Sequence, residues 1–424
     1  MAESPETDDR TLTDTMPEQA AEDEQQETPH LTPYLTWKEL VQSPRYTNLT
    51  LYERKEARKY KEIWCYGLHA KKSFDGPHNR GFDTEARSYI VEPRDHVAYR
   101  YEILYKIGQG QSSKVYKARD HKTNTIVALK LFRNDNKCRT LAENEEKLLR
   151  RLNAADTNVV TPANIIRMLD SFVFRKHHVI VMELLAESIL SFMKRTSFKP
   201  LALEQVRAVA RSTLRALTLL EKLRIIHGDL KPENLILREI GKTGIKLIDF
   251  GTSCLEGQTT HTYYQTRYYR APEVLLGLPY GLPIDMWSLG CILAELATGV
   301  PLFLTANEAE LMARMMEILG LLPAEMQQQL QRDHFELHFN ADGTARYWTG
   351  GPHSAREIDK YNGPPGCRTL RGALGEAGKN KLFVDFMKQC LVWEPSKRMT
   401  PSQAYEHPWM KTPVRKPLAP AKHT

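Results

Sequence analysis

Residues 227–251 read HGDLKPENLILREIGKTGIKLIDFG, and this stretch decides how the chain is interpreted. Asp229 is followed by Lys231 two residues later and by Asn234 five residues later, in a short polar loop. An apolar, β-rich run at 245–248 then leads to a second aspartate, Asp249, which precedes Phe-Gly. The stretch thus supplies a carboxylate, an amine and two further oxygen donors of the kind that hold a divalent cation.

These residue types are the ones that phosphoryl transfer needs. Moving a phosphoryl group off ATP requires a carboxylate to orient the attacking hydroxyl, a cation on the transferring phosphate and ligands for Mg²⁺. We assign these roles to Asp229, to Lys231, and to Asn234 with Asp249. The pattern resembles the catalytic and magnesium loops of eukaryotic protein kinases. A D-x-K-x-x-x-N loop alone is usually just a polar turn, but the D-F-G that begins fifteen residues after Asn234 makes the resemblance specific.

Length and composition indicate a globular chain. Its 424 residues allow two or three domains, and 41% are hydrophobic and 26% charged. We find no apolar run of the roughly 18 residues that a membrane span needs, and the acidic N-terminus does not fit a signal peptide. The six cysteines are scattered without a C-x-x-C pair, which favours free thiols in a reducing compartment.

The charge is distributed unevenly. Residues 1–28 carry a net charge of −9, so the rest of the chain carries +16 within a total of +7. Aromatic and basic residues do not interleave as they do in nucleic-acid readers, so direct nucleic-acid binding is not favoured. Residues 1–30 are acidic and poor in aromatics, and we predict a disordered tail there.

Aromatic residues return in 31–99, and their density implies packing against another part of the chain. The pieces at 49–72 and 79–104 resemble the accessory region that precedes the kinase domain in class II dual-specificity tyrosine-phosphorylation-regulated kinases, the DYRK family. By this resemblance, the region assists a single autophosphorylation of the enzyme's own activation loop on tyrosine.

The segment 101–132 reads as antiparallel strands with a glycine turn, IGQGQSSKVYKA (107–118) and TIVALKLF (125–132). Glu145 lies on a predicted helix at 140–152 and is the expected partner of Lys130, with Glu143 and Glu146 as alternatives. By resemblance, the ATP-contacting residues are Ile107, Gly108, Gly110, Ser113, Val115, Ala128, Lys130, Glu145, Met182, Glu183 and Leu185. Ser113 stands where the family has a third glycine, and Ser112 replaces an aromatic tip.

The activation segment, 251–270, has Tyr263 at the second position of the family's Tyr-x-Tyr and His261 at the first. A phosphate on Tyr263 would add close to two negative charges, which Arg267 and Arg270 can receive. Many kinases anchor this phosphate with an arginine before the catalytic aspartate, but Gly228 stands there. Thr266 matches the threonine that braces the catalytic loop in serine/threonine kinases.

The remaining motifs concern the large lobe. We expect helices at 203–223, 283–299 and 307–321, with Asp285 holding the backbone of the catalytic loop and Arg398 pairing with Glu273. Glu233 and Glu295 match the acids with which the family reads an arginine two or three residues before a Ser/Thr that proline often follows. The insert at about 322–380 is long enough to be a docking surface.

The predicted fold is α+β and bilobal: a small antiparallel β-sheet lobe with helix C (100–182) and a large, mainly helical lobe (183–410), preceded by the accessory segment. A flexible basic tail follows at 411–424. The predicted activity is ATP- and Mg²⁺-dependent phosphorylation of protein substrates by a monomer in the cytoplasm, with the nucleus as a further location. The alternatives are a pseudokinase scaffold, suggested by Ser112, Ser113 and Gly228, and a splicing-associated kinase.

Overall fold

The computed structural model describes residues 34–72, 76–158, 162–239, 241, 244–258, 265–341 and 363–412. Within these residues the strands are β1 (His96–Val97), β2 (Tyr101–Gln109), β3 (Ser113–Asp120), β4 (Thr125–Phe132), β5 (Met168–Phe174), β6 (His177–Glu183), β7 (Ile225–Ile226), β8 (Leu235–Leu237), β9 (Ile245–Leu247) and β10 (Cys254–Leu255). The helices are α1 (Trp37–Gln42), α2 (Leu51–Glu56), α3 (Asn136–Ala155), α4 (Ile189–Arg195), α5 (Leu203–Leu223), α6 (Pro272–Leu275), α7 (Pro283–Thr298), α8 (Glu308–Leu319), α9 (Ala324–Gln327), α10 (Arg332–His338), α11 (Leu370–Ala373), α12 (Lys381–Cys390), α13 (Pro401–Glu406) and α14 (Pro408–Lys411).

The small lobe is built on one antiparallel sheet with the strand order β1-β2-β3-β4-β6-β5. The central strands β4 and β6 are buried over most of their length, which fits their near-continuous apolar sequences. Their register sets Ala128 opposite Met182 and Lys130 opposite Ile180. The lysine predicted to grip phosphate therefore projects from a strand whose position is fixed on both sides.

Helix α3 packs against this sheet and corresponds to the helix predicted at 140–152. It is longer than predicted, because the side chain of Asp135 caps its first turn by accepting from the N–H of Cys138. Its buried face carries Ala142, Glu145, Leu148, Leu149 and Leu152. A glutamate in the middle of an apolar stripe needs a cationic partner, and the structure supplies one.

The large lobe is mainly helical, with α5 and α7 at its centre. Helix α5 has the predicted bounds because its apolar stripe is regular. The residue after it, Arg224, adopts a left-handed conformation and terminates the helix. Helix α7 is buried over almost its whole length, which fits a sequence that is apolar apart from a few polar residues such as Asp285 and Glu295. The side chains of Glu273 and Arg398, both at most 1% exposed, form a bidentate pair with distances of 2.8 and 3.0 Å.

The segment before the sheet has its own small core, formed by Leu40, Leu49, Ala57, Ile63, Tyr66 and Tyr99. Its two short helices begin with capping boxes at Thr36 and Thr50. Such a core is too small to be stable alone, which fits the expectation that this segment packs against another part of the chain.

The described architecture has a small antiparallel sheet lobe and a large helical lobe, and this confirms the predicted fold class. No helix among the described residues combines the length and apolar character that crossing a bilayer requires.

Candidate active site

The Lys130 side chain lies between two carboxylates at the junction of the lobes. Its Nζ is 2.7 Å from Oε1 of Glu145 on α3 and 2.8 Å from Oδ1 of Asp249, which follows β9. Burial disfavours the charged amine, but Asp249 and Glu145 together outweigh burial and raise the pKa of Lys130. The structure thus selects Glu145 among the three candidate glutamates, since Glu143 is exposed and Glu146 contacts Ser171 and Arg150.

Asp249 is ionised and held in an uncommon backbone conformation. The charge of Lys130 lowers the pKa of Asp249 to about 2, against the opposing effect of burial. Its φ of 62° is unusual for a residue other than glycine. A Cβ at Gly251 would lie 3.3 Å from both Oδ1 of Asp249 and Oε2 of Glu145, so glycine leaves room for the two acids.

Asp229, Lys231 and Asn234 form a connected loop with Thr266. Oδ1 of Asp229 accepts from the backbone N–H of Thr266 at 3.1 Å and from its hydroxyl at 2.7 Å. Lys231 Nζ lies 2.7 Å from the other carboxylate oxygen of Asp229 and donates to the Thr266 hydroxyl at 3.2 Å. Asn234 Nδ2 donates to the carbonyl of Asp229 at 2.8 Å, which leaves its amide oxygen as the atom available to a cation.

The backbone just before this loop is held in place by Asp285 of α7. Its carboxylate accepts from the N–H of His227 at 2.8 Å and from that of Gly228 at 3.0 Å. Burial raises the pKa of Asp285, and these two N–H groups oppose the shift. The Phe250 ring lies edge-on to His227, with 5.2 Å between ring centroids. This contact packs the residue after Asp249 against the start of the loop that carries Asp229.

Most of the residues predicted to surround a nucleotide lie on strands β2, β3, β4 and β6. The pairing of β2 with β3 sets Gly108 opposite Val115, and Val115 also pairs with Lys130 on β4. The turn closes through a 2.9 Å bond from the N–H of Gly110 to the carbonyl of Ser113. Ile107 is 44% exposed, Ser113 and Met182 are buried, and Leu185 packs against the main hydrophobic core, which includes residues of both lobes.

Comparison with known sequences agrees with this geometry. The sequence model of the family described as protein kinase domain matches residues 101–410 of this chain. The chain is 42% identical over 365 residues to dual specificity tyrosine-phosphorylation-regulated kinase 4 of Homo sapiens, which covers 85% of this chain and 68% of the relative. The chain belongs to the DYRK family of protein kinases.

Other DYRK relatives are similar to the same degree. The kinase 3 of Mus musculus is 42% identical over 383 residues, or 88% of this chain and 64% of the relative. The kinase mbk-2 of Caenorhabditis elegans is 43% identical over 383 residues, or 87% of this chain and 46% of the relative. The chain therefore spans less than two thirds of the length of these two curated relatives. A protein kinase domain implies that ATP is used.

The DYRK resemblance predicted Glu233 and Glu295 as a pair, and the structure brings them together with a residue that sequence reasoning missed. The Tyr269 hydroxyl donates to Oε2 of Glu295 at 2.8 Å. Burial raises the pKa of Glu295 to about 7, and the nearby Glu233 adds to the shift while the Tyr269 bond opposes it. An acid in the apolar helix α7 indicated the need for a donor, but nothing in the sequence pointed to Tyr269.

Tyr263 of the DYRK activation segment lies outside the described residues, and its two predicted phosphate receivers have other contacts. Arg267 donates to the carbonyl of Ala306 at 2.6 Å, while its Nε is buried without a hydrogen-bond partner among the described residues. Arg270 is 2% exposed, donates to the carbonyl of Gln265 at 3.0 Å and pairs with Glu308. The sequence did not indicate the contact with Glu308.

Proposed function

We propose that this protein is an ATP-dependent protein kinase of dual specificity, which phosphorylates Ser and Thr in substrate proteins and tyrosine in its own activation loop. The observation that carries this proposal is a pair of connected clusters: Asp229, Lys231 and Thr266 hold one another, and Lys130 pairs with both Glu145 and Asp249. With Asn234, the two clusters supply three carboxylates, two amines and an amide oxygen, which include the base, the cations and the metal ligands that phosphoryl transfer requires.

In this mechanism Asp229 accepts the proton of the attacking hydroxyl. Thr266 donates two hydrogen bonds to one oxygen of Asp229 and fixes the direction of the carboxylate. Lys231 contacts the other oxygen and is placed to balance the charge of the phosphate in transfer. Because the three side chains hold one another, the hydroxyl meets a preorganised base.

The donor set fits Mg²⁺. The cation prefers hard oxygen ligands and usually keeps several waters. The Asp249 carboxylate is ionised and its side chain is 46% exposed, while Asn234 has its amide nitrogen bound and its oxygen available. These two residues would hold the metal, which when bound neutralises charge on the nucleotide phosphates. Lys130, fixed by Glu145, would contact the α- and β-phosphates.

The proposed substrates are proteins with an arginine two or three residues before a Ser or Thr, often followed by proline. The buried Glu295 and the half-buried Glu233 suit a guanidinium, because an arriving cation relieves the repulsion between the two acids. In the described part of the chain, Oε2 of Glu233 is buried without a hydrogen-bond partner, which is costly until a donor arrives. Thr266 supports Ser/Thr as the mature target.

The proposed control is a single phosphate on Tyr263, added by the enzyme itself with the help of the accessory segment 31–99. The Nε of Arg267, which has no hydrogen-bond partner within the described ranges, supports this proposal, since a phosphate oxygen would satisfy it. For Arg270 to take part, its contact with Glu308 must open or be shared. The kinase would act as a monomer in the cytoplasm, with the nucleus as a further location and without direct nucleic-acid binding.

Two other functions are disfavoured. A pseudokinase scaffold does not account for the contacts among Lys130, Glu145 and Asp249 and among Asp229, Lys231 and Thr266, which would serve no purpose in a protein that transfers nothing. A splicing-associated kinase does not account for the accessory segment, which packs as a defined unit.

The test is phosphate transfer from ATP to an arginine-rich Ser/Thr peptide. We expect transfer by the wild-type chain and its loss in Asp229→Ala. Glu145→Gln should weaken transfer, whereas Glu143→Gln, a matched change on the exposed face of the same helix, should not. Mass spectrometry of the purified chain should find phosphate on Tyr263. Equal activity in Asp229→Ala would reject the mechanism, and a wild-type chain without activity would favour the scaffold.

A further inference from the structure

One buried side chain of the accessory segment, Asp83, contacts the small lobe next to the connection between β4 and α3. Its side chain is 3% exposed, and Oδ1 lies 2.7 Å from Nε2 of His177 on β6. The same oxygen accepts from Nδ2 of Asn79 at 2.9 Å, and Oδ2 accepts from Nδ2 of Asn134 at 2.9 Å. On the other side of the ring, Nδ1 of His177 is 2.7 Å from the carbonyl of Phe132.

Hydrogen-bond accounting shows that this arrangement requires an acid at position 83. A carbonyl oxygen only accepts, so Nδ1 of His177 must donate to Phe132. The contact between Nε2 and Oδ1 then needs one more proton, shared by the imidazole and the carboxyl. In Asp83→Asn an NH2 group replaces one of the two carboxylate oxygens. This donor then faces another donor, the Nδ2 group of either Asn79 or Asn134. The substitution therefore loosens the cluster without leaving a cavity.

The cluster holds the connection between β4 and α3 at two points. Phe132 is the last residue of β4, two residues after Lys130, and Asn134 comes just before the α3 cap. The backbone N–H of Asn134 also donates to the carbonyl of Arg87, 2.9 Å away in the accessory segment. Lys130 lies before this connection and Glu145 after it. The position of the connection therefore affects the geometry of the contact between Lys130 and Glu145.

The accessory segment is itself firmly attached at this place. Nδ2 of Asn79 also donates to the carbonyl of Arg175 at 2.8 Å. The guanidinium of Arg175 is fully buried, pairs with Glu56 at 2.9 Å and lies 4.1 Å from the centroid of the Phe82 ring, next to Asp83. Because a buried ion pair is costly to break, this anchor keeps Asp83 in place.

We propose that Asp83 is a positioning residue for nucleotide binding, through which the accessory segment sets the position of Lys130 in the mature kinase. This role rests on the proposed kinase function and is separate from any help the segment gives to tyrosine autophosphorylation. In this proposal the accessory segment continues to support the position of Lys130 after tyrosine autophosphorylation is complete.

The experiment compares Asp83→Asn with Asp95→Asn. Asp95 is a matched control: it is buried in the same segment and its Oδ1 lies 3.0 Å from Nδ1 of a histidine, His96, but neither residue contacts the connection from β4 to α3. Full-length chains carrying phosphate on Tyr263, verified by mass spectrometry, are assayed for the KM of ATP, the KM of the peptide and kcat. Calorimetry with a non-hydrolysable ATP analogue measures nucleotide affinity directly.

We expect Asp83→Asn to raise the KM of ATP and the analogue Kd about tenfold, because a small displacement of a phosphate contact has effects of this size. The KM of the peptide should stay within about twofold, and Asp95→Asn should leave nucleotide affinity unchanged. Equal nucleotide affinity in the two variants, or an equal rise in both KM values of Asp83→Asn, would overturn the proposal.

If Asp83→Asn does not accumulate, Asn134→Ala removes the other half of the contact from a half-exposed position and should weaken nucleotide binding in the same direction. Unchanged affinity in that variant would also overturn the proposal. If the wild type transfers no phosphate, the proposed kinase function fails, and titration of the unphosphorylated chains with the analogue still decides the role of Asp83.

Discussion

If Glu295 binds the arginine of a peptide substrate as proposed, its raised pKa should make peptide recognition sensitive to pH near neutrality. Only the ionised carboxylate attracts an arginine side chain strongly. With a pKa of about 7, half of the Glu295 side chains are protonated at that pH in the free kinase. For a pKa of about 7, the ionised fraction of Glu295 falls about tenfold between about pH 8 and about pH 6. The KM of an arginine-containing peptide should therefore rise about tenfold over this range. The linkage also predicts that the contribution of Glu295 to folding stability falls as pH rises from 4.5 towards 7.

Neighbouring residues should move this profile in opposite directions. Tyr269→Phe removes the hydrogen bond that lowers the pKa of Glu295, so the rise in KM should begin at higher pH. Glu233→Gln removes the like charge that raises it, so the rise should begin at lower pH, with weaker binding throughout. Glu295→Gln should remove this contribution to the profile altogether.

The assay is a set of initial rates at several pH values with two peptides that differ only in arginine or alanine at the recognised position. The alanine peptide is the control, and its KM should not follow the titration of Glu295. A KM for the arginine peptide that is flat between about pH 6 and pH 8, with kcat measured separately, would refute the reasoning. So would identical profiles in the wild type and Tyr269→Phe.

Three further predictions follow from the other contacts. Asp229→Asn should lower kcat by about a hundredfold to ten-thousandfold with an unchanged Tm, measured by peptide phosphorylation and thermal melting; a kcat near wild type would remove Asp229 as the base. Arg398→Met should destabilise the fold by about 3–5 kcal/mol in denaturant, because it strands the buried Glu273, whereas Arg332→Gln, at an exposed pair, should change stability by less than about 1 kcal/mol. Tyr263→Phe should lower activity at least about tenfold, and a fully active, unphosphorylated variant would contradict the proposed control.

Those parts of the molecule that depend on local order can be predicted from the sequence. The bounds of α5 follow from one regular apolar stripe, and the catalytic loop follows from residue types at fixed spacing within 227–251. The pattern at 140–152 places helix α3 correctly but makes it too short, because it does not include the capping role of Asp135. Local patterns are informative here because helices and tight loops are closed by bonds between near neighbours.

Contacts between distant residues could not be predicted in the same way. Asp83 and His177 are 94 residues apart, and Arg270 and Glu308 are 38 apart. Each of these residues is unremarkable alone, and its role depends on where the fold places its partner. The family pattern supplied the acids Glu233 and Glu295, but the donor that shares their site, Tyr269, emerged only from packing.

The charges of the site explain why nucleotide and metal should arrive together. Lys130 and Lys231 carry two positive charges, whereas Glu145, Asp249 and Asp229 carry three negative ones when ionised. The unliganded cleft is thus slightly negative, and a nucleotide brings several more negative charges into a partly desolvated space. Repulsion of this kind is strong at a reduced dielectric, so the lysines alone cannot balance it. A divalent cation held by the proposed ligands Asp249 and Asn234 would restore the balance, and ATP should therefore bind much more weakly when Mg²⁺ is removed by chelation.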